Sequence, residues 1–277
     1  MKKLALLLAA LVFLAAPARA ELVAKEIKYK DGETELAGYY VYDSAFTVPL
    51  PGVIVIHEWW GHNDYARRRA DQLAGLGYAA FAVDMYGTNK MASNPQEATA
   101  LSKPFYDDRK MMVARAEAGL NTLLAQPHVD KTRTGAVGYC FGGTVALEMA
   151  RKGLDLKGVA VFHAGLSTPE RAEPARVKAQ VLALNGGADK MVSEEERNNF
   201  VSEMTAAGVT YKNVVYPDAL HAFTNPKATE IGERFNIPVA YNADADKKSW
   251  AEMEAFFARL FKPKTETPET PEAPAAQ

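Results

Sequence analysis

With one cysteine, Cys140, in 277 residues, the chain cannot form an internal disulfide. Beyond the N-terminal run Leu4–Ala16, no stretch approaches the ~18 uninterrupted apolar residues of a membrane-spanning helix. Positive charge is not in excess. The formal charge of −2 argues against nucleic acid or an anionic membrane as a partner, since both require a basic stripe. Arg67-Arg68-Arg69 is a local cluster and reads as a solvated helix face. The glycines of Gly138–Gly143 are not followed by Lys-Ser or Lys-Thr, which excludes a phosphate loop, and their spacing fails a dinucleotide fingerprint. His57-Glu58 has no second histidine one helical turn on, because position 61 is Gly61, so a zinc-protease site is excluded and no metal is expected.

The two ends of the chain have their own compositions. Lys2 and Lys3, the apolar run, and Ala18-Arg19-Ala20 match a cleaved export signal over residues 1–20, which predicts a periplasmic address, with secretion as the second choice. Residues 263–277 carry Pro263, Pro268, Pro271 and Pro274 and no bulky apolar side chain, so a disordered Pro/Glu/Thr-rich tail is expected. Residues 21–262 read as one domain, about 240 residues being ordinary for an α/β sheet protein.

Within that domain, apolar runs rich in β-branched residues recur at Gly52–Ile56, Tyr78–Val83, Thr134–Val137, Gly158–Phe162, Val181–Leu184 and Val209–Tyr216. Between them, Tyr65–Leu76, Gln96–Leu124, Phe141–Arg151, Ser193–Ala207 and Lys247–Phe261 have helical length and spacing. Continuous apolar strands alternating with helices predict a three-layer α/β sandwich around a mostly parallel sheet. Lys25–Lys30 and Thr34–Tyr42, on either side of Asp31-Gly32, predict an antiparallel hairpin at the sheet's N-terminal edge.

Reactive groups in such sheets gather beyond the carboxyl ends of strands. Those positions hold His57-Glu58, Asp84, Cys140, His163, Asp189 and His221. In Gly138-Tyr139-Cys140-Phe141-Gly142-Gly143, small residues permit a sharp strand-to-helix elbow that lifts the Cys140 side chain out of the sheet. The helix that follows would offer free N–H groups, that of Phe141 first, to a developing oxyanion. A lone cysteine in a Gly-rich segment also reads as a small buried hydrophobe. Cys140, Asp189 and His221 stand in the order nucleophile, acid, histidine. Asp218 is a rival acid, although only three residues before His221. Asp189 and His221 taken singly also fit a turn cap and a solvated loop residue. His163 reads as a satisfied structural histidine and His128 as a loop residue.

Together, His57-Glu58-Trp59-Trp60-Gly61, Gly77-Tyr78-Ala79 with Asp84, Gly138–Gly143, Gly187-Ala188-Asp189 and His221-Ala222-Phe223 resemble the dienelactone hydrolase family over roughly residues 22–262. The resemblance implies an α/β-hydrolase fold without a large cap, no metal or organic cofactor, and a Cys140–His221–Asp189 triad; the expected activity is on small esters or lactones, and the expected form is a monomer. It also implies that the Trp59 N–H is a second oxyanion donor, and that Glu58 approaches the resting thiol and takes part in its activation. Trp60, Tyr86, Tyr106 and Phe223 are candidate pocket residues, together with Trp59 and Phe105. Family members that bind the dienelactone carboxylate carry an arginine a few residues after the histidine; this chain has Asn225 there, and Arg109, in the Gln96–Leu124 segment, is an alternative source of charge. A silent binding module on the same fold, a thioesterase and a peptidase are the competing readings.

Overall fold

A computed structural model describes residues 21–262; the expected leader, 1–20, and the expected tail, 263–277, lie outside the described residues. The chain begins with the edge hairpin β1 (Leu22–Asp31) and β2 (Thr34–Asp43), turning through Gly32-Glu33 with Gly32 at φ 55°. Lys25, Glu26, Lys28 and Lys30 line the outer strand, where charge discourages pairing with a second sheet. The remaining strands are β3 (Leu50–Ile56), β4 (Ala79–Val83), β5 (Val129–Tyr139), β6 (Gly158–Phe162), β7 (Gln180–Gly186) and β8 (Tyr211–Tyr216). They form one eight-stranded sheet in the order β1-β2-β4-β3-β5-β6-β7-β8, antiparallel at β1/β2 and β2/β4 and parallel elsewhere.

Helices α1 (Asp64–Gly75) and α7 (Ala243–Leu260) cover one face, where Leu73, Met253 and Phe257 meet Val53, Ala80 and Leu182. The other face is covered by α2 (Pro95–Asp107), α3 (Arg109–Leu124), α4 (Phe141–Arg151) and α5 (Glu194–Ala206), around Ile54, Phe81, Val159 and Phe200. Central strands such as β3 are buried along their whole length, which is why their sequence is apolar without alternation. This is the α/β-hydrolase arrangement.

The expected single segment Gln96–Leu124 is two helices. Asp108 takes an extended conformation, ends α2 through its N–H to Pro104, and accepts from the Lys110 and Met111 N–H groups as the N-cap of α3. The short helix α6 (Ala228–Phe235) was not anticipated: it follows Pro226 and ends at left-handed Asn236. The cluster Arg67–Arg69 also differs from its reading as a solvated face. Arg68 is exposed, Arg67 lies 5.8 Å over the Tyr39 ring, and Arg69 is buried.

The chain runs from β3 outward to β4, then returns to β5 on the opposite side of β3. At that switch point the loops after β3 and β5 diverge and leave a crevice between them. In the parallel register Ile56 pairs with Gly138, so the segment His57–Gly61 and the Cys140 elbow leave the sheet side by side.

Candidate active site

Cys140 sits between β5 and α4 at φ 52° and ψ −115°, a conformation that costs a residue with a Cβ roughly 1–3 kcal/mol. Three glycines allow this elbow. A Cβ on Gly142 would lie 2.2 Å from the Ile56 carbonyl oxygen, one on Gly138 2.1 Å from the Gly142 oxygen, and one on Gly143 2.5 Å from the Ala164 Cβ. The Cys140 N–H is tied to the Phe162 carbonyl at 3.0 Å, which anchors the elbow to β6.

His221, on the loop after β8, places Nε2 3.0 Å from Cys140 Sγ and Nδ1 2.8 Å from Asp189 Oδ2. Asp189, just past β7, is held by its other oxygen, which accepts from the Met191 N–H at 2.7 Å and the Val192 N–H at 3.2 Å. With the carboxylate accepting, Nδ1 of His221 carries a proton and Nε2 faces the sulfur. Burial lowers the proton affinity of His221, but a thiolate on one side and the Asp189 carboxylate on the other outweigh it, leaving the imidazole well above its ordinary pKa. The rival Asp218 is exposed and takes no part in this contact.

The Phe141 N–H belongs to the first turn of α4, where no intrahelical acceptor exists. Among the described residues the Trp59 N–H also has no acceptor, whereas the Trp59 carbonyl accepts from Tyr86 Oη at 3.0 Å. Tyr86 therefore supports the Trp59 turn from beneath, its ring packed on His57, Phe105 and Phe141, and does not line the open cavity as expected. Phe223 departs in the same way: it is fully buried against His163 and Tyr216. Trp60 and the half-exposed Tyr106 do line cavities that open at Cys140. Phe105 lies beneath, in the core.

Glu58 is buried beside the pair, but its Oε2 accepts from Asn225 Nδ2 at 2.7 Å, and the hydrogen bond of the Cys140 thiol is to His221. Burial raises the Glu58 carboxyl to about 7, against the opposing effects of Asn225, His221 and Arg69. His57 uses both ring nitrogens, Nδ1 at 2.5 Å from the Glu58 carbonyl and Nε2 accepting from the Met85 N–H at 3.3 Å. Asp84 accepts from the backbone N–H groups of Ala37, Tyr86 and Gly87. His163 is only half satisfied: Nε2 lies 2.7 Å from Thr224 Oγ1, while Nδ1 is buried without a partner. His128 is an exposed loop residue stacked on Tyr42.

Three contributors were not anticipated as such. Arg69 reaches from α1 to the Thr224 carbonyl at 2.7 Å and to Asp246 at 2.5 Å, fixing the turn that carries His221. Asn225 is a structural partner of Glu58. Ala228, Ile231, Ile237 and Val239 roof a narrow cavity of about 20 Å³ next to Cys140. The high charge of α1 disguised Arg69, and Pro226 disguised the roof helix; spacing of Ala228 and Ile231 was the available signal for the latter.

A family model described as the dienelactone hydrolase family matches residues 36–261. Protein usf of Aquifex pyrophilus is 30% identical over 196 residues, covering 69% of this chain and 84% of that protein. Carboxymethylenebutenolidase of Pseudomonas putida is 29% identical over 189 residues, covering 65% of this chain and 78% of the enzyme. The crystal structure of a dienelactone hydrolase-like promiscuous phosphotriesterase from metagenomic libraries aligns with TM-score 0.83 at 35% identity, covering 87% of this chain and 99% of that one. The chain belongs to the dienelactone hydrolase family and is a hydrolase.

Proposed function

We propose that this member of the dienelactone hydrolase family hydrolyses small esters or lactones with Cys140 as nucleophile, His221 as the base and acid, and Asp189 as its orienting carboxylate. The observation that carries the reading is the continuous contact from Asp189 through His221 to Cys140 at the mouth of two cavities. The family's hydrolytic relatives, among them a carboxymethylenebutenolidase, support the choice of ester and lactone bonds.

A free thiol near pKa 8.5 is mostly protonated at neutral pH, so the reaction begins with transfer of the Cys140 proton to His221 Nε2. The thiolate attacks the substrate carbonyl carbon, and the resulting oxyanion accepts from the Phe141 and Trp59 N–H groups. One such donor is worth roughly 3 kcal/mol in the transition state. As the tetrahedral adduct collapses, the C–O bond breaks and His221 returns its proton to the leaving alkoxide. In a lactone that alkoxide stays tethered, so a single product forms after ring opening. Water, deprotonated by His221, then cleaves the thiolester and restores the thiolate–imidazolium pair. Glu58 assists activation when substrate arrives, its proton affinity near neutrality suiting a transient acceptor.

Export belongs to the same proposal. Residues 1–20 have the composition of a cleaved signal, and among the described residues no helix is long and apolar enough to cross a membrane. The working form is a monomer in the periplasm; fractionation with N-terminal sequencing and light scattering tests this.

The central experiment is intact-mass detection of acylated Cys140 alongside turnover of an ester, lactone, thioester and amide panel. Acylation with ester or lactone turnover, both absent in Cys140→Ala, is expected. Preference for thioester or amide would move the assignment to a thioesterase or peptidase. No acylation and no turnover would favour a silent binding module.

A further inference from the structure

Two cavities open at Cys140, and their walls differ in chemistry. The outer cleft lies against α2 and presents Thr99, Ser102, Lys103 and Tyr106. The inner cavity lies under α6, and its wall is largely apolar: Ala222, Ala228, Ile231, Ile237 and Val239. Its ionisable lining groups are Cys140, His221 and Glu58, with no lysine or arginine among the lining residues. A thiolate and an imidazolium cancel, so an ionised Glu58 leaves the wall net negative.

Asn225 fixes how Glu58 presents itself. Its Oδ1 accepts from the Lys227 N–H at 3.0 Å, at the start of α6, while Nδ2 donates to Glu58 Oε2 at 2.7 Å. Turning the amide over would set its NH₂ against the Lys227 N–H, so Asn225 can offer Glu58 only a donor. That favours the carboxylate, against the burial that resists it. The roof is held in the same way: the Ala228 N–H donates to the Asn225 carbonyl at 2.8 Å, the Ala240 N–H to the His221 carbonyl at 3.2 Å, and Phe235 stacks on Trp60. The inner cavity is therefore a built, apolar compartment with a fixed acceptor in its wall. A carboxylate entering it would lose its hydration and face a like charge, with only the His221 imidazolium, already paired with the thiolate, to replace the water.

We propose that the α6 cavity selects an uncharged, apolar substituent of the substrate, and that the Glu58–Asn225 pair is the element that rejects carboxylated ones. The inference rests on the ester or lactone hydrolase reading above. Polar or charged parts of a substrate are left to the outer cleft, where Lys103 and Tyr106 stand.

The test uses an isosteric pair of esters with the same leaving group: 4-nitrophenyl 4-methylpentanoate and mono-4-nitrophenyl succinate, in which a carboxylate replaces the isopropyl end. After subtraction of non-enzymatic hydrolysis at pH 8, kcat/KM should favour the neutral ester by about 100-fold, the scale of a desolvated like-charge contact. The ratio should fall to below about 10-fold in Asn225→Arg, which adds a cation, and in Glu58→Gln, which removes the charge while preserving an acceptor for Asn225. A ratio cancels any common loss of activity in these variants. Independently of turnover, 4-methylpentanamide should protect Cys140 from iodoacetamide, read by intact mass, while succinamate at equal concentration should not. Equal rates with equal protection would overturn the proposal. Failure of both esters while the neutral amide alone protects would overturn the hydrolytic reading and support the selectivity.

Discussion

Asn225 Nδ2 and Glu58 Oε2 lie 2.7 Å apart although 167 positions separate the two residues in the chain. The contact stabilises a carboxylate in a buried position that lines the same cavity as the Cys140 thiol. Glu58 is therefore poised between two states near neutral pH, and this has consequences for stability as well as chemistry.

In the folded chain Glu58 titrates near 7, against 4.5 for an ordinary glutamate. Below about pH 4.5 the group is protonated in both folded and unfolded chains, and its burial carries no ionic penalty. As pH rises from about 4.5 to 7 the unfolded chain ionises while folded Glu58 holds its proton, so stability falls across that window by as much as about 3 kcal/mol and levels off once the folded group ionises as well. Urea melts at pH 5 and pH 8 should show wild type losing stability relative to Glu58→Gln. Parallel curves for the two proteins would remove Glu58 as the titrating group.

Asp189→Asn should lower kcat by about 10³–10⁴-fold, because the amide no longer favours the productive tautomer or the imidazolium. The same change lowers the proton affinity of His221, so the thiolate–imidazolium pair forms less readily. Alkylation of Cys140 by iodoacetamide at pH 6 should slow markedly while the melting temperature changes little. Unchanged alkylation would show that Asp189 does not act through His221.

Gly142→Ala should damage the elbow itself. Its Cβ would meet the Ile56 carbonyl carbon and oxygen at 2.5 and 2.2 Å, both main-chain atoms that cannot rotate away. A loss of about 3 kcal/mol or failure to fold is expected. Gly75→Ala in α1, where nothing lies within 4 Å, is the control and should be neutral or stabilising by about 0.5–1 kcal/mol. Equilibrium denaturation of the two variants checks both.

Arg69→Met should cost about 3–5 kcal/mol, since it leaves Asp246 without its cation and frees the Thr224 carbonyl. Arg69→Lys should recover only part of this, because an ammonium cannot span Tyr65, Gln72, Thr224 and Asp246 as the guanidinium does. Chemical denaturation measures the loss. Turnover of the folded fraction should also fall, as the turn that presents His221 loosens.

Much of this was legible without coordinates. Apolar runs buried on both faces reveal a parallel sheet because no polar residue is tolerated there, and the elbow glycines reveal a close approach because only hydrogen fits. Strand ends in the order Cys140, Asp189, His221 follow from the same logic. Asp108 was missed because a single extended residue interrupts helical spacing without changing its composition. Arg69 was misread because an arginine beside two others looks solvated until a partner such as Asp246, far along the chain, is brought to it.

The amino-acid sequence by itself determined the α/β layering, the position of the elbow and the identities of the candidate site residues, since these depend on local periodicity, sterics and intrinsic chemistry. Only the tertiary structure decided that Asp189 and not Asp218 meets His221, that Tyr86 and Phe223 are supports and not pocket walls, and that Glu58 is held by Asn225. Those outcomes depend on which distant groups share a buried volume, and burial is a property of the packed chain and not of any segment within it.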